Sequence, residues 1–427
     1  MAFLALAALS ASLLPPHSPW LMPSSGRVGT RARPAAVADD DATSLLPSEG
    51  ARRHGAAAAV ASPSPPPPPP PSLGRWLLDA ALASPLYRAV LVPQAKATMV
   101  RTAEANGVAW RESLRWIEAN GPWELTDAER AALGRVPEYY TQPFHAYERG
   151  NLCWEAALEA EIASRAVGAR NMPSHGAAGE EAFRSAFDDA LAAAGARLPR
   201  GGVALDLGCG TGLSTRRLAA RFPHAARVEG LDLSPHFVAV ARRLPALAAA
   251  APAAAAWRWV HRREEYLDRR VEVRCGAAEA TGAAGGSVDV VNLALVLHEL
   301  PPHASLAVAA EAYRVLRPGG QLWVTEMDFE TPAFSKLRAN PVLFALIRAT
   351  EPYLDLYADF QPRLADELCK IGFGPVRLVA ATGRHFALVA TKGVSPGGPV
   401  DDRRVETAKQ DTHLKSWESK RPAEASA

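Results

Sequence analysis

Cysteine is scarce in this chain of 427 residues, and the four present, Cys153, Cys209, Cys275 and Cys369, stand far apart with no C-x-x-C pair. That spacing argues against a zinc site or a disulfide framework and favours a reducing compartment; no metal is expected. Neither sign of charge is in excess. The 47 Lys and Arg against 45 Asp and Glu leave a formal +2, which favours no polyanionic partner. No basic stripe alternates with aromatics, so no nucleic acid is expected, and pairs such as Arg262-Arg263 and Arg269-Arg270 read as solvated surface. The apolar opening "MAFLALAALSASLLPP" falls short of the about 20 residues that cross a bilayer. No transmembrane segment is expected, although peripheral membrane contact stays compatible with the sequence. What is present is 48% hydrophobic residues, ample for a core.

Composition marks off both ends. After the apolar opening, "SSGRVGTRARPAAVA" carries Arg27, Arg31 and Arg33 with no acid before Asp39. This leader resembles an organelle transit peptide, plastid ahead of mitochondrion. The alternative is a secretory signal with Ala2 to Leu14 as its apolar core, although no basic segment precedes it; it also fits the first half of a two-part plastid signal. Pro65 to Pro71 are seven consecutive prolines, an extended polyproline spacer. From Gly393 the chain is polar and charged and reads as a disordered tail. The expected organisation is a leader and linker (1–75), a helical extension (76–200), an α/β domain (201–392) and a tail (393–427).

In the extension, "AFRSAFDDALAAAG" places Phe183, Phe187, Ala190, Leu191 and Ala194 on one helical face and stops at Gly195. Beyond residue 200, short apolar runs alternate with helical stretches: "VALDL" then "STRRLAARF", "RVEGLDL" then "PHFVAVARRL", "VDVVNLALVL" then "ASLAVAAEAYRVL", then "QLWVTEMD". In the third helix Leu306, Ala309, Ala310, Tyr313 and Leu316 share a face. Strands that are apolar along their whole length and alternate with helices indicate an α/β, doubly wound, mostly parallel sheet of the Rossmann-like kind.

In such a sheet the ligand lies at the carboxyl ends of the strands. "VALDLGCGTG" sits there, with Gly208, Gly210 and Gly212 spaced G-x-G-x-G instead of the G-x-G-x-x-G of dinucleotide binders. Asp206 just before the turn would repel a pyrophosphate and suits an ammonium group. Asp232 ends the second strand, where a carboxylate can accept ribose hydroxyls, and "RVLRPGGQLWVTE" supplies a helix, a Pro-Gly-Gly turn and a further strand. A ligand with an amino-acid end, a ribose and no phosphates is S-adenosylmethionine. Cys209, inside the turn, is either a packing residue or a reactive thiol.

"LDLGCGTGLST", "EGLDLS", "GSVDVVNLALVLHELP" and "EAYRVLRPGGQLWVTE", in that order, resemble the motifs of class I S-adenosylmethionine-dependent methyltransferases, and more narrowly the small-molecule group that includes quinone and sterol methyltransferases. The resemblance covers about residues 200–392. It implies that Gly208, Gly210 and Gly212 line the methionine part with Asp206 turned to its amino end, that Asp232 holds the ribose, and that Leu233 covers the adenine. The family's aspartate near position 277 is absent, so Ala277 and Ala278 offer backbone contacts alone. Asn292 is expected to face the methionine carboxylate or the transferred methyl. Seven strands are expected, the last antiparallel, with "PVRLVAA" and "HFALVATK" joined at Thr382-Gly383.

The candidate catalytic residue is His298 in "LVLHELPPH". In plant phenolic O-methyltransferases a histidine at a comparable place after the strand removes the hydroxyl proton; here that role and a packing or acceptor-shaping role both stay open. Glu299 either orients His298 or caps the next helix, which His303 starts. Tyr139, Tyr140, Phe144, His145, Tyr147 and Trp154 form either an apolar lid with polar tips or the packing of the extension. Met327 and Asp328 end the fifth strand, with Asp328 a candidate acceptor-facing carboxylate. The N/D-P-P-Y/F signature of amino-methylating enzymes is missing, "NLAL" standing there, so a small acceptor such as a prenylquinone or phenolic is expected. The alternatives are a non-catalytic platform and a nucleotide-dependent enzyme on a similar sheet.

Overall fold

The computed structural model describes Ser84 and residues 92–250, 267–393 and 405–407. The leader and the proline run lie outside the described residues, as does most of the tail. Eight strands form one sheet: β1 Val203–Leu207, β2 Arg227–Asp232, β3 Val271–Cys275, β4 Val288–Ala294, β5 Leu316–Met327, β6 Phe373–Ala380, β7 His385–Lys392 and β8 Val405–Thr407. Their order is β3-β2-β1-β4-β5-β7-β6-β8. Strands β1 to β5 pair in parallel, and β7 runs antiparallel to both β5 and β6. The eighth strand is additional to the expected seven. It is three residues of the segment read as tail, paired in parallel with β6, and so short a run carries no periodic signal.

Alternation along each strand feeds two cores. Leu205, Leu207, Val291, Leu293, Leu322 and Val324 point to one face, under α8 (Pro302–Val315) and α12 (Leu364–Ile371). Ala204, Val228, Val290, Trp323 and Val389 point to the other, under α5 (Gly179–Ala193) and α6 (Leu213–Arg221). A third cluster joins α1 (Val92–Ala105), α2 (Trp110–Ala119) and α4 (Trp154–Asn171) to Phe237, Val240 and Leu244 of α7 (Pro235–Ala250). The helical extension therefore docks on α7, and its last helix, α5, is itself a covering layer of the sheet.

Helices α4 and α5 meet backbone to backbone. A Cβ at Gly168 would lie 2.2 Å from Glu180 Cα, and one at Gly179 would lie 2.4 Å from Ala169 Cα. Helix α5 begins three residues before the expected Ala182, ends at Ala193, and all five of its predicted core residues are buried; Gly195 turns the chain at φ +89°. The face expected for α8 is borne out in part: Ala309 and Leu316 are buried, Leu306 and Tyr313 are half-buried, and Ala310 is exposed. The deepest stripe runs through Ala304, Val308, Ala312 and Val315. Alanine occurs on every side of this helix, and Tyr313 packs its ring edge-on to Phe373 from the flank. The Pro-Gly-Gly turn is likewise absorbed into β5, which starts at Leu316; the pairing with β4 shifts register there, with Gly319 at φ +79°.

Candidate active site

The carboxyl ends of β1, β2, β3 and β4, the 3-10 turn Glu138–Thr141 and helices α4 and α5 enclose a cavity of about 250 Å³. The glycine turn forms its floor. Gly208, Gly210 and Gly212 all have positive φ (+69°, +57° and +82°), a conformation glycine adopts without a Cβ clash. At Gly208 a Cβ would meet Val296 at 2.8 Å, whereas at Gly210 it would find only Phe237, at 4.0 Å, so the backbone there is bare to the cavity. Gly208 and Gly210 line the wall; Gly212 lies behind it and starts α6.

Asp232 lies on the wall, buried, with its carboxylate fixed by three donors: Gly210 N–H at 2.8 Å, Ser234 N–H at 2.8 Å and the Tyr140 hydroxyl at 3.4 Å. Burial outweighs these bonds and pushes its pKa up to about 6. Leu233 and Ala278 are on the wall, and Ala277 is not.

Asp206 and Asn292 lie in β1 and β4 as expected, but behind the cavity wall. They are register partners in the β1–β4 ladder, on the face covered by α6, and Asn292 Nδ2 donates to Asp206 Oδ1 at 2.7 Å. The other Asp206 oxygen accepts from Ser214 and Thr215 at 2.6 and 2.7 Å. A carboxylate beneath the first turn of α6 complements the helix end and ties β1, β4 and α6 together. Neither residue lines the cavity.

At the other side of the cavity His298 sits in the 3-10 turn Leu297–Glu299 directly after β4. It is buried, and Nδ1 lies 2.8 and 3.0 Å from the two oxygens of Glu326, a fully buried residue of β5. Burial pulls the imidazole pKa down, but the charge and hydrogen bond of Glu326, with Glu351 and Glu299 beyond, outweigh it and raise it to about 9. Glu299 Oε1 is 4.0 Å from His298 Nε2 and 3.9 Å from His145 Nε2; burial raises its pKa to about 8. His145 Nε2 lies 2.9 Å from Glu351 Oε1, and burial holds this imidazole neutral, its pKa lowered to about 4. The turn that delivers His145 has φ +51° there and +70° at Ala146, and it is held by His145 N–H to Thr350 O at 2.9 Å.

Residues 205–324 match the family model described as a methyltransferase domain. This is an S-adenosylmethionine-dependent methyltransferase domain. The chain is 37% identical over 127 residues to a trans-aconitate 2-methyltransferase of Methylobacterium radiotolerans, covering 30% of this chain and 38% of that protein. It is 29% identical over 153 residues to a ubiquinone biosynthesis O-methyltransferase of Aromatoleum aromaticum, covering 35% of this chain and 55% of that one. The chain thus spans between about a third and a little over half of these relatives' own lengths. A crystal structure of a SAM-dependent methyltransferase from Aquifex aeolicus is similar at 21% identity and a TM-score of 0.34, covering 49% of this chain and 92% of that one.

The residues of the methyltransferase domain fit this cofactor. Gly208 and Gly210 offer an open backbone, Asp232 an anionic acceptor, and Leu233 and Ala278 apolar surface. Cys209 is buried in the turn, and burial, with Asp232 and Asp206 nearby, holds its thiol protonated, which suits packing and not nucleophilic chemistry. Of the aromatic group, Tyr139, Tyr140, His145 and Tyr147 line the cavity, while Phe144 is buried beside it and Trp154 packs on His236 at 4.8 Å. His303 lies in the first turn of α8, and Met327 is buried. Asp328 does not line the methyltransferase cavity; it accepts from Glu330 N–H at 3.0 Å and Gln361 at 3.4 Å.

Several polar wall residues escaped the sequence, among them Asn151, Glu161, Ser164, Arg184 and Glu279. Glu161 of α4 pairs with Arg216 of α6, whose other nitrogen donates to Thr211 O at 2.9 Å, so the extension clamps the glycine turn. An acid in the alanine-rich "EAALEAEIASRAV" looks solvated until its helix is packed. No helix among the described residues is long and apolar enough to cross a membrane.

Proposed function

We propose that the protein as a whole is an enzyme that methylates a small, lipophilic acceptor, a prenylquinone or a phenolic, in the plastid. The observation that carries this proposal is that the bare backbone at Gly210, the Asp232 carboxylate and the His298 imidazole all border one cavity. When bound, S-adenosylmethionine supplies an electrophilic methyl group on a sulfonium. The chain's task is then alignment and exclusion of water. Ala156, Ala160, Ala163, Val167 and Phe183 give the cavity an apolar side suited to a lipophilic body. His298 presents Nε2 while Glu326 fixes its other nitrogen, and Glu299 stands 4.0 Å away, so a hydroxyl proton has two adjacent acceptors once His298 is neutral. The ubiquinone-pathway relative and the Arg-bearing, acid-free leader support the acceptor class and the compartment.

A thermal melt tests the cofactor: S-adenosylmethionine should raise the melting temperature and NAD should not. Labelled methyl should then pass to demethylated quinols or catechols, and a fluorescent fusion of residues 1–75 should enter plastids. A second reading is favoured by the raised pKa of His298, which keeps the ring cationic at neutral pH. A cation suits a carboxylate acceptor, which needs no base, and a relative is named for trans-aconitate. Transfer of label to trans-aconitate and not to phenols would establish that reading in place of the first.

A further inference from the structure

We propose that Asn151, from the helical extension, positions Glu299 to take the proton from the acceptor's oxygen, which sits between Glu299 and the His298 ring; this rests on the hydroxyl-methylating reading above. Asn151 is buried on the cavity wall, in a turn closed by Leu152 N–H to Arg149 O at 3.0 Å. Gly150 permits that turn: at φ +52° it lies so near Gln142 that a Cβ would meet the Gln142 carbonyl oxygen at 2.5 Å. The two ends of Asn151 serve different carboxylates. Its backbone carbonyl accepts the Ser234 hydroxyl at 2.6 Å, and Ser234 N–H donates in turn to Asp232. Its side-chain Nδ2 donates to Glu299 Oε2 at 3.4 Å, the one side-chain hydrogen bond that Glu299 makes among the described residues. Such bonds are long in a free enzyme and tighten when the site fills.

With Oε2 held, Glu299 Oε1 is left facing two imidazoles, 4.0 Å from His298 Nε2 and 3.9 Å from His145 Nε2, and all three residues line the cavity. Each gap is too wide for a hydrogen bond, yet one oxygen about 2.8 Å from both ends would bridge it. The charged and titratable groups around Glu299 are His298 on its own turn, His145 and Tyr140 from the extension, Glu351 and Asp232. Burial puts the Glu299 titration at about 8, whereas Glu326 keeps His298 cationic to about 9, so the carboxylate has room for a proton first. In the step, the acceptor O–H bond breaks and the proton goes to Glu299 Oε1. The oxygen's electron pair forms the bond to the methyl carbon, whose bond to sulfur breaks with its pair returning to sulfur.

The test uses the full chain with Asn151→Leu, of similar bulk, and Asn151→Ala, which both keep the backbone carbonyl and lose the donor; melting curves confirm that they fold. Each should move the Glu299 titration up by about one pH unit, read by NMR on protein isotope-labelled at the glutamate carboxyls and assigned with Glu299→Gln. Each should lower kcat for label transfer to catechol by roughly 10- to 100-fold, with S-adenosylhomocysteine affinity, by calorimetry, held within about threefold. In a Glu299→Gln background the Asn151 change should add little, because it acts through that carboxylate. A folded variant with the wild-type Glu299 titration overturns the assignment. So does one that loses S-adenosylhomocysteine affinity in step with rate, or a double variant whose loss is the product of the single losses. Labelling of trans-aconitate alone overturns it too, since a carboxylate has no proton to give. A wild type that labels neither compound overturns the acceptor reading instead, and the carboxyl titration still decides the role of Asn151.

Discussion

Asp232→Asn should weaken cofactor binding strongly while leaving the fold at least as stable. Burial raises the Asp232 pKa from 3.8 to about 6 even though Ser234, Gly210 and Tyr140 all donate to it. About two pKa units correspond to about 3 kcal/mol that the native fold spends to hold this charge at pH 7. Asparagine removes the charge but accepts from only one of the two backbone amides, leaving the other N–H against its own NH2 at a cost of about 1–2 kcal/mol. The variant should therefore be about 1–2 kcal/mol more stable at pH 7. Between pH 4 and 6 the native chain holds a proton that the unfolded chain has lost, so wild-type stability from this residue falls as pH rises through that window and is flat above it. Urea denaturation of both proteins at pH 5 and pH 7.5 gives the comparison, in which the advantage of the variant should be larger at the higher pH. S-Adenosylhomocysteine binding, by calorimetry, should weaken about 100-fold or more, because the anionic acceptor is gone. A variant that is destabilised by more than 1 kcal/mol to the same extent at both pH values would refute the reasoning, and so would one that binds normally.

Gly168→Ala should cost about 3 kcal/mol, since the new Cβ meets Glu180 Cα at 2.2 Å and Glu180 N at 2.6 Å, and backbone cannot step aside; a melting temperature within a degree of wild type would show that α4 and α5 do not pack so closely. Glu326→Gln should lower the titration point of His298 from about 9, read from the imidazole signals by NMR, because the charge that raises it is removed. In the wild type the stability from this pair should be complete below about pH 6.5 and lost as pH climbs through 9, so a variant whose deficit is the same at pH 6 and pH 10 would contradict it. Glu161→Gln should cost about 3–5 kcal/mol and loosen the glycine turn, because the buried Arg216 loses its counter-charge; unchanged stability with unchanged cofactor affinity would remove the clamp.

The sheet was legible because its strands are apolar on both faces, and the turn because three glycines at one strand end have few other uses. What the sequence could not resolve was which of two similar acids reaches the cavity. Asp206 and Asp232 both lie at strand ends in apolar runs, yet Asp206 shares the parity of Ala204 in β1 and so faces α6, with Leu207 still to follow it in the strand. Asp232 is the last residue of β2, beyond which the sheet ends and the cavity begins. Asn292 lies off the cavity wall for the same reason as Asp206, being its ladder partner and not the last residue of β4. Parity and distance from the strand end decide between cradle and core, and both need the exact boundaries that periodicity leaves loose by a residue or two. Glu161, Glu279 and Asn151 fail differently: each joins the cavity through contacts between segments far apart in sequence, such as Tyr139 with Glu279 and Glu161 with Arg216. The extension is thus part of the cavity and not only a cover over it, because Tyr139 and Tyr140 donate to the carboxylates of Glu279 and Asp232, and Glu161 pairs with Arg216 beside the glycine turn.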